Sequence, residues 1–467
     1  MTALPPDPLE DGGIAEYGQR LRSGDITAEA VTRAYLDRIG RLDPRLGAFE
    51  YVAGGQALAA ARALDSLLGA GTDLGPLMGV PVAIKDLFAV EGMPVHAGSN
   101  LDLSDVIGAE GSFVKRLKRA GCVILGKTKT VEFALGTTGI SKPRGTPWNP
   151  WDAVVHRIPG GSSRGSGVAV AAGLCGFAIG TDTGGSVRLP ASFCGIFGLK
   201  TTVGLWPTDG VFPLSPELDS IGSMTRSAAD GAIVFAALTG RPVPRARPRC
   251  GLRLGRPSNY FFDNLDKQVE QCLEAALAAL AETGVEIVPV EVPEAPEREK
   301  YFPVALPADL ITVLGRERFI EGREGIDPIV AARGEIGLDV GAPEYNRLRR
   351  RRRELCESVK EHFRGLDGWL TPTIARVTVP LSDFDDLEKG MKLTLAITQA
   401  TQPVNLLDLC STSTPIQQLG AQLPVGLQVV CPGGGDADAL SIALAIEDVV
   451  GSPPTPTFPG SSIRIDP

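Results

Sequence analysis

The sequence is poor in histidine, the side chain that most often serves as a catalytic base or metal ligand. It has only three, His96, His156 and His362, and they lie far apart along the chain. The eight cysteines are also scattered and form no CxxC pair. This distribution excludes a recognisable zinc site, a thioredoxin-like motif and a disulfide framework, and we expect no metal or other cofactor.

A long hydrophobic run is missing as well. The uncharged stretch over residues 165–181 is at the short limit for crossing a bilayer and is bounded by charges, so we expect a buried helix and no membrane insertion. Residues 1–13 are acidic and proline-rich, with no basic segment followed by an apolar one, and therefore predict no standard signal peptide. The expected location is the cytoplasm, with reduced thiols.

Positive charge is in deficit, with 46 lysines and arginines against 55 acidic residues. The net charge of −9 argues against direct binding of nucleic acid. The one local exception is an arginine run over residues 347–353, with five consecutive arginines from Arg349. We interpret it as the solvated, ion-paired face of a long helix, and a patch for RNA or an acidic partner is the alternative.

Glycine, in contrast, is abundant, at 56 of 467 residues without a collagen-like period. Its abundance indicates turns and close backbone approaches. Strand-like runs over 80–84 and 122–125 alternate with helix-like runs over 26–42 and 113–120. This alternation predicts an α/β fold whose sheet is covered by helices on both faces.

We divide the chain into four consecutive segments. They are an N-terminal helical segment (1–70), a core (71–240), a segment with a connector, a helix and a variable substrate-side insert (241–345), and a C-terminal part that completes the same sheet (346–467). Within the third segment we expect the connector over 242–257, the helix over 265–283 and the insert over 291–345.

A serine activated by lysine is the chemistry that these residues favour. Lys85 follows the apolar run 80–84, where burial can lower its pKa enough to make it a base near neutral pH. Two loops rich in glycine and serine, around Ser162 and Ser186, are available to meet it. In the second loop, consecutive backbone N–H groups can converge on an oxyanion.

An alternative nucleophile is Ser163. Residues 161–165, GSSRG, match the G-x-S-x-G elbow of α/β-hydrolases, with His362 as the required base. The elbow normally follows a strand, whereas residues 148–161 read as a loop, which argues against this interpretation.

Three sequence blocks, taken together, resemble the amidase signature family. They are GPLMGVPVAIKD at 75–86, PGGSSRGS at 159–166, and GTDTGGSVRLPA at 180–191 followed by CGIFGLK at 194–200. The run LPVGLQ at 423–428 is similar to the family's C-terminal block. The resemblance covers most of the chain and implies a single large α/β domain with a mixed central sheet.

The resemblance also implies a Ser-cisSer-Lys triad. Ser186 corresponds to the nucleophile that forms an acyl-enzyme, Ser162 to a bridging serine next to a cis peptide bond, and Lys85 to the base. The implied oxyanion hole consists of the backbone N–H groups of Thr183, Gly184, Gly185 and Ser186. As structural support we expect an Asp182–Arg188 pair and a hydrogen bond from Ser163.

Arg164 departs from the family pattern, which usually has glycine at this position. If the loop needs a positive φ there, the arginine is strained. We expect either a loop-stabilising ion pair or exposed side chain, or a guanidinium that binds a carboxylate or carbonyl of the substrate.

The function that the resemblance implies first is hydrolysis of an amide-type C–N bond in a small substrate, with a homodimer as an assembly to test. Two alternatives belong to the same family: the glutamine-hydrolysing component of a tRNA-dependent amidotransferase, and a hydrolase of carbamates or urea derivatives. A catalytically inactive binding protein is disfavoured because Lys85, Ser162 and Ser186 are all retained.

Overall fold

The computed structural model describes residues 6–456. Residues 1–5 and 457–467, which the first and last of the four segments include, lie outside this range. The described chain forms one α/β domain with a large mixed sheet flanked by helices, as expected.

The described residues contain eleven strands in one sheet. They are β1 (Phe49–Val52), β2 (Pro81–Lys85), β3 (Val123–Thr128), β4 (Phe177–Asp182), β5 (Phe197–Lys200), β6 (Ser220–Thr225), β7 (Arg253–Pro257), β8 (Glu286–Val290), β9 (Gly368–Pro372), β10 (Cys410–Pro415) and β11 (Gly426–Cys431). Their order across the sheet is β1-β3-β2-β4-β6-β5-β10-β11-β9-β7-β8.

The same residues contain sixteen α-helices. They are α1 (Gly13–Ser23), α2 (Ala28–Leu46), α3 (Gly54–Gly69), α4 (Ser104–Ile107), α5 (Ser112–Arg119), α6 (Arg164–Ala171), α7 (Arg188–Cys194), α8 (Ala228–Thr239), α9 (Lys267–Glu282), α10 (Arg298–Leu314), α11 (Arg316–Gly322), α12 (Pro328–Leu338), α13 (Ala342–Ser358), α14 (Leu387–Thr398), α15 (Gln402–Leu406) and α16 (Asp436–Val450).

Parallel pairing in the middle of the sheet positions the candidate site. Strand β2 pairs in parallel with β3 on one side and with β4 on the other, so that Ile84 lies opposite Ile179. All residues of these three strands are buried, as is typical of parallel strands covered on both faces. The carboxyl ends of β2 and β4 therefore lie side by side, with Lys85 and Asp182 as their last residues.

The stretch 165–181 is not one helix, and that prediction is wrong in its second half. Helix α6 ends at Ala171, Gly173 has a left-handed φ of 63°, and the chain then enters β4 at Phe177. A left-handed glycine is a common way to end a helix. A buried strand and a buried helix are both uncharged, so composition alone does not separate them.

In the third segment, the prediction that fails is that of a connector without secondary structure over its whole length. The connector over 242–257 ends in strand β7, where Leu254 is buried and Arg253 is exposed. The insert over 291–345 is mostly helical and contains α10, α11 and α12. Pro303 and Pro307 lie inside α10, and prolines are a signal against a helix interior.

The arginine run lies on helix α13, and the prediction of an ion-paired helix face is confirmed. Arg349 pairs with Glu217, and Arg351 pairs with Glu297 at 3.4 Å. Across residues 6–456, no helix combines the length and the apolar character needed to cross a membrane.

Candidate active site

Lys85 lies at the carboxyl end of β2 and is wholly buried. Its Nζ donates hydrogen bonds to Ser162 Oγ at 2.7 Å and to Thr181 Oγ1 at 2.8 Å. Burial lowers the pKa of Lys85 to about 7, and the negative charges of Asp219 and Asp182 oppose this shift. A substantial fraction of the amine is therefore neutral near pH 7 and able to accept a proton.

Ser162 lies in the irregular segment before α6, and its side chain is fully buried. The peptide bond between Gly161 and Ser162 is cis, which is the geometry that the resemblance implies. The next residue, Ser163, donates its backbone N–H to the carbonyl of Ser186 at 3.2 Å. The two serine loops therefore lie side by side, as the interpretation of the sequence requires.

Ser186 lies in the glycine-rich loop between β4 and α7 and is 3% exposed. Among the residues that the structure describes, its hydroxyl has no hydrogen-bond partner. The loop is held by Asp182, which accepts hydrogen bonds from the backbone N–H of Gly185 at 2.8 Å and of Val187 at 3.1 Å. These bonds fix the backbone on both sides of Ser186, whereas its hydroxyl makes no hydrogen bond to Ser162 in the described chain.

Arg188 pairs with Asp182 at 2.9 Å, and both side chains are wholly buried. Burial alone would raise the pKa of the Asp182 carboxyl, but the charge and hydrogen bonds of Arg188 hold it well below its usual range. Asn405 donates to the same carboxylate at 2.8 Å, and Arg188 donates to Gln428 at 2.7 Å. This network ties the loop to α15 and β11.

The backbone amides implied as an oxyanion hole are not equivalent. The N–H of Gly185 already donates to Asp182, whereas those of Thr183, Gly184 and Ser186 have no acceptor within residues 6–456. Gly185 has a φ of 121°, and a Cβ at this position would lie within 2.4 Å of Thr401 Oγ1. The loop conformation therefore depends on glycine here.

Asp219 is a residue of this site that sequence reasoning missed. It lies immediately before β6, which pairs antiparallel with β4, and it accepts a hydrogen bond from Thr183 Oγ1 at 2.5 Å. Burial raises the pKa of Asp219 to about 6, against the opposing hydrogen bonds from Thr183 and Ser215. No local sequence pattern marks it, because its place depends on pairing between distant strands.

Thr181, the second partner of Lys85, was also missed, although it belongs to the quoted block 180–191. It is the penultimate residue of β4, and β4 is parallel to β2. Once that pairing is assumed, a residue at the end of β4 is expected beside Lys85. The sequence analysis assigned 165–181 to one helix, so it did not predict strand β4 and did not place Thr181 beside Lys85.

Arg164 is the first residue of α6 and is 0% exposed, so its side chain does not reach solvent. Its backbone has no positive φ, so the strain considered for this position is absent. Its Nη1 donates to the carbonyl of Gly139 at 3.1 Å. It makes no ion pair within 4.0 Å among residues 6–456, and its Nε and Nη2 have no hydrogen-bond partner there. Neither an exposed side chain nor a loop-stabilising ion pair describes it.

Ser163, the alternative nucleophile, donates its hydroxyl to the carbonyl of Thr181 at 3.3 Å. His362, the base that this alternative needs, contacts Glu294 instead, at 3.1 Å. The described residues therefore bring no histidine into contact with Ser163. They also contain no cluster of histidine, cysteine and acidic side chains that could hold a metal ion.

A buried amine bonded to a hydroxyl, beside a serine with free backbone amides around it, is an arrangement suited to acyl transfer without metal ligands. The family model described as "Amidase" matches residues 30–440. The chain therefore belongs to the amidase family, whose enzymes hydrolyse C–N bonds.

Individual relatives cover almost the whole chain. A 2-amino-5-chloromuconic acid deaminase of Comamonas testosteroni is 39% identical over 94% of this chain and 96% of its own. A component of the glutamyl-tRNA(Gln) amidotransferase of Geobacter metallireducens is 33% identical over 94% of this chain and 97% of its own. The solved peptide amidase of Stenotrophomonas maltophilia superposes with a TM-score of 0.83 at 27% identity, covering 97% of this chain and all of that chain.

Proposed function

We propose that the protein hydrolyses an amide-type C–N bond of a small molecule through an acyl-enzyme on Ser186. The observation that carries the proposal is the 2.7 Å hydrogen bond from Lys85 Nζ to Ser162 Oγ, inside a site where burial lowers the pKa of that lysine to about 7. A lysine with its ordinary pKa would be almost fully protonated at pH 7 and could not accept the proton.

In the first step, Ser186 Oγ forms a bond to the substrate carbonyl carbon. Its proton passes to Ser162, and the proton of Ser162 passes to Lys85. The negative charge that develops on the carbonyl oxygen is stabilised by free amides of the 183–186 loop. When the C–N bond breaks, the proton returns through Ser162 to the leaving nitrogen, and water then hydrolyses the ester on Ser186 by the same relay.

The relatives support ammonia or a small amine as the leaving group. A deaminase and an amidotransferase component, as these proteins are named, both act where nitrogen is released or transferred. We therefore propose a small carboxamide or a related C–N compound as the substrate class. An amide, carbamate and urea panel separates these chemistries, because hydrolysis of the latter two also releases carbon dioxide.

The second candidate is the glutamine-hydrolysing component of a tRNA-dependent amidotransferase. It is favoured by the 33% identity to such a component over nearly its full length. A protein of this kind is expected to co-purify with partner subunits and to hydrolyse glutamine. Turnover of small amides by the isolated chain, without glutaminase activity, contradicts this candidate.

The test is labelling with a fluorophosphonate, read by intact mass and by the labelled peptide. We expect one adduct on Ser186, and we expect Ser186→Ala to remove the adduct and to lower amide turnover by at least about 1,000-fold. Ser163→Ala is the matched control, since its hydroxyl contacts only a backbone carbonyl among the described residues. An adduct on Ser163, or normal turnover by Ser186→Ala, refutes the proposal.

A further inference from the structure

Six polar atoms that have no hydrogen-bond partner among the described residues are concentrated around one loop beside the serine loops. The loop, residues 132–144, is irregular after the short 3-10 helix at Glu132–Ala134. The atoms are Glu132 Oε1, Thr137 Oγ1, Ser141 Oγ, Arg144 Nε, and Arg164 Nε and Nη2, all buried. Buried polar groups are normally satisfied, so this concentration indicates a missing hydrogen-bonding partner.

Arg164 is the strongest member of this group. A guanidinium is a planar cation with five donors, and within residues 6–456 Arg164 makes one hydrogen bond, from Nη1 to the carbonyl of Gly139. Burial lowers the pKa of Arg164 to about 9, so the group remains cationic at neutral pH. The nearby charges, Glu50, Asp327, Arg144 and Lys129, do not include a carboxylate within 4.0 Å of it in the described chain.

Those neighbouring carboxylates are already engaged. Glu50 pairs with Arg144 at 2.6 Å. Asp327 accepts hydrogen bonds from the backbone N–H of Ile329 at 3.0 Å and of Lys142 at 2.9 Å. Among the described residues, both carboxylates therefore act on Arg164 only at a distance, and neither makes an ion pair with it.

The guanidinium of Arg164 lies close to the segment that leads into Ser162, because it contacts Gly139, which packs against Gly160 and Gly161. Arg164 is two positions after Ser162, which places their Cα atoms at most about 7 Å apart. The contacting loop joins the same region, because the carbonyl of Thr137 accepts from Gly161 N at 2.8 Å and the carbonyl of Gly139 accepts from Arg164. A group bound to Arg164 would therefore lie close to the backbone that precedes Ser162.

We propose that Arg164 binds a carboxylate of the substrate, with hydroxyl donors from Thr137 and Ser141, so that the enzyme acts on ω-amides of short dicarboxylic acids. This inference rests on the proposed function. A carboxylate fits because its two oxygens match the two open donors of a guanidinium fork and neutralise its charge. A neutral amide would leave the same donors unsatisfied.

The test compares succinamate, glutaramate and adipamate with butyramide, valeramide and hexanamide, each acid amide beside the neutral amide of equal chain length. For Arg164→Gln we expect KM for the preferred acid amide to rise about 10-fold or more, which corresponds to roughly 1.4 kcal/mol. Turnover of the neutral amides and kcat for the acid amide should change less than about twofold.

Arg157→Gln is the control. Arg157 lies in the irregular segment that precedes Ser162, outside the loop 132–144, and it already pairs with Asp152 at 2.7 Å and donates to the carbonyl of Thr378. We expect this variant to treat acid and neutral amides alike. If Arg164→Gln also affects both classes alike, Arg164 is structural and the inference is wrong.

If Arg164→Gln does not fold, Arg164→Lys keeps the charge and loses the fork, and it should still raise KM selectively for acid amides. Independently of any variant, a wild-type protein that is inhibited by adipate no better than by hexanamide overturns the inference.

Fluorophosphonate labelling separates the two proposals. An adduct on Ser186 without acid selectivity refutes only the role of Arg164, and acid-selective binding without an adduct refutes only the acyl-enzyme.

Discussion

The charge on Asp219 should set the pH at which the enzyme becomes active. Lys85 must be neutral to accept a proton, so the rate of acylation should rise with pH and level off above about 7. The carboxylate of Asp219 favours the protonated form of Lys85. Asp219→Asn removes this charge and should shift the rising limb to lower pH.

The size of the shift follows from the geometry of the loop. Lys85 contacts Thr181, and Asp219 contacts Thr183, two positions further along the chain. This places the charges roughly 6 to 10 Å apart. With an effective dielectric constant near 20 their attraction is about 2 kcal/mol, so the midpoint should fall by on the order of one pH unit.

The structure also predicts how the difference between the pH profiles of wild type and Asp219→Asn depends on pH. Burial raises the pKa of Asp219 to about 6, so this carboxyl is itself largely protonated in more acidic solution. Wild type and Asp219→Asn should therefore differ most between about pH 6 and 7.5 and converge below that range. Because the two groups interact, the wild-type limb reports the pair rather than Lys85 alone.

The assay is the second-order rate of fluorophosphonate labelling between pH 5 and 9, which needs no known substrate. Asp309→Asn is the matched control, because Asp309 is a buried carboxylate that contacts the hydroxyl of Ser215, while Asp219 accepts from the backbone N–H of the same residue. Asp309→Asn should not shift the pH dependence of the labelling rate. A limb that stays fixed or moves to higher pH in Asp219→Asn refutes the assignment of Lys85 as the base.

Two further changes test the frame of the site. Lys127→Met should lower the free energy of unfolding by about 3–5 kcal/mol, because it leaves Asp86 buried without its 2.8 Å ion-pair partner. Thermal melting measures the loss. We expect full recovery of stability only when Asp86 is also replaced by an apolar residue. Gly185→Ala should abolish fluorophosphonate labelling, because the added Cβ collides with Thr401. The control is Gly240→Ala, which also has a positive φ (70°) but no atom near the added Cβ, and it should lose stability while it keeps labelling. Equal labelling of the two variants contradicts the role given to the 183–186 loop.

The sequence carries the local part of this site well. The run 80–84 is short, apolar and followed by a lysine, and the structure places it as a buried strand that ends at Lys85. The glycine-dense block after residue 182 is a loop, as its composition indicates. These features depend on neighbouring residues, so local patterns are sufficient to predict them.

The non-local part could not be read in the same way. Asp219 reaches Thr183 only because β6 pairs with β4 in one register, with Asp182 opposite Ser220. The boundary between α6 and β4 depends on Gly173 adopting positive φ, and several other glycines in the same stretch offer equally plausible breaks. Strand pairing and the choice among such glycines are decided by tertiary contacts, which a single sequence does not display.

The buried cations of the site differ in their hydrogen-bonding partners, and this difference distinguishes cations with a structural role from those suited to catalysis or substrate binding. Lys127 and Arg188 each face a buried carboxylate, and Lys200 donates to two backbone carbonyls. Each of these groups gains a partner that favours its charged form and holds it in place. Lys85 donates to two hydroxyls and Arg164 to one carbonyl, and no carboxylate of residues 6–456 contacts either of them. A lysine that is hydrogen-bonded to hydroxyls can lose its proton, which suits a base. An arginine that stays cationic at neutral pH without a carboxylate in contact suits a binder of anions.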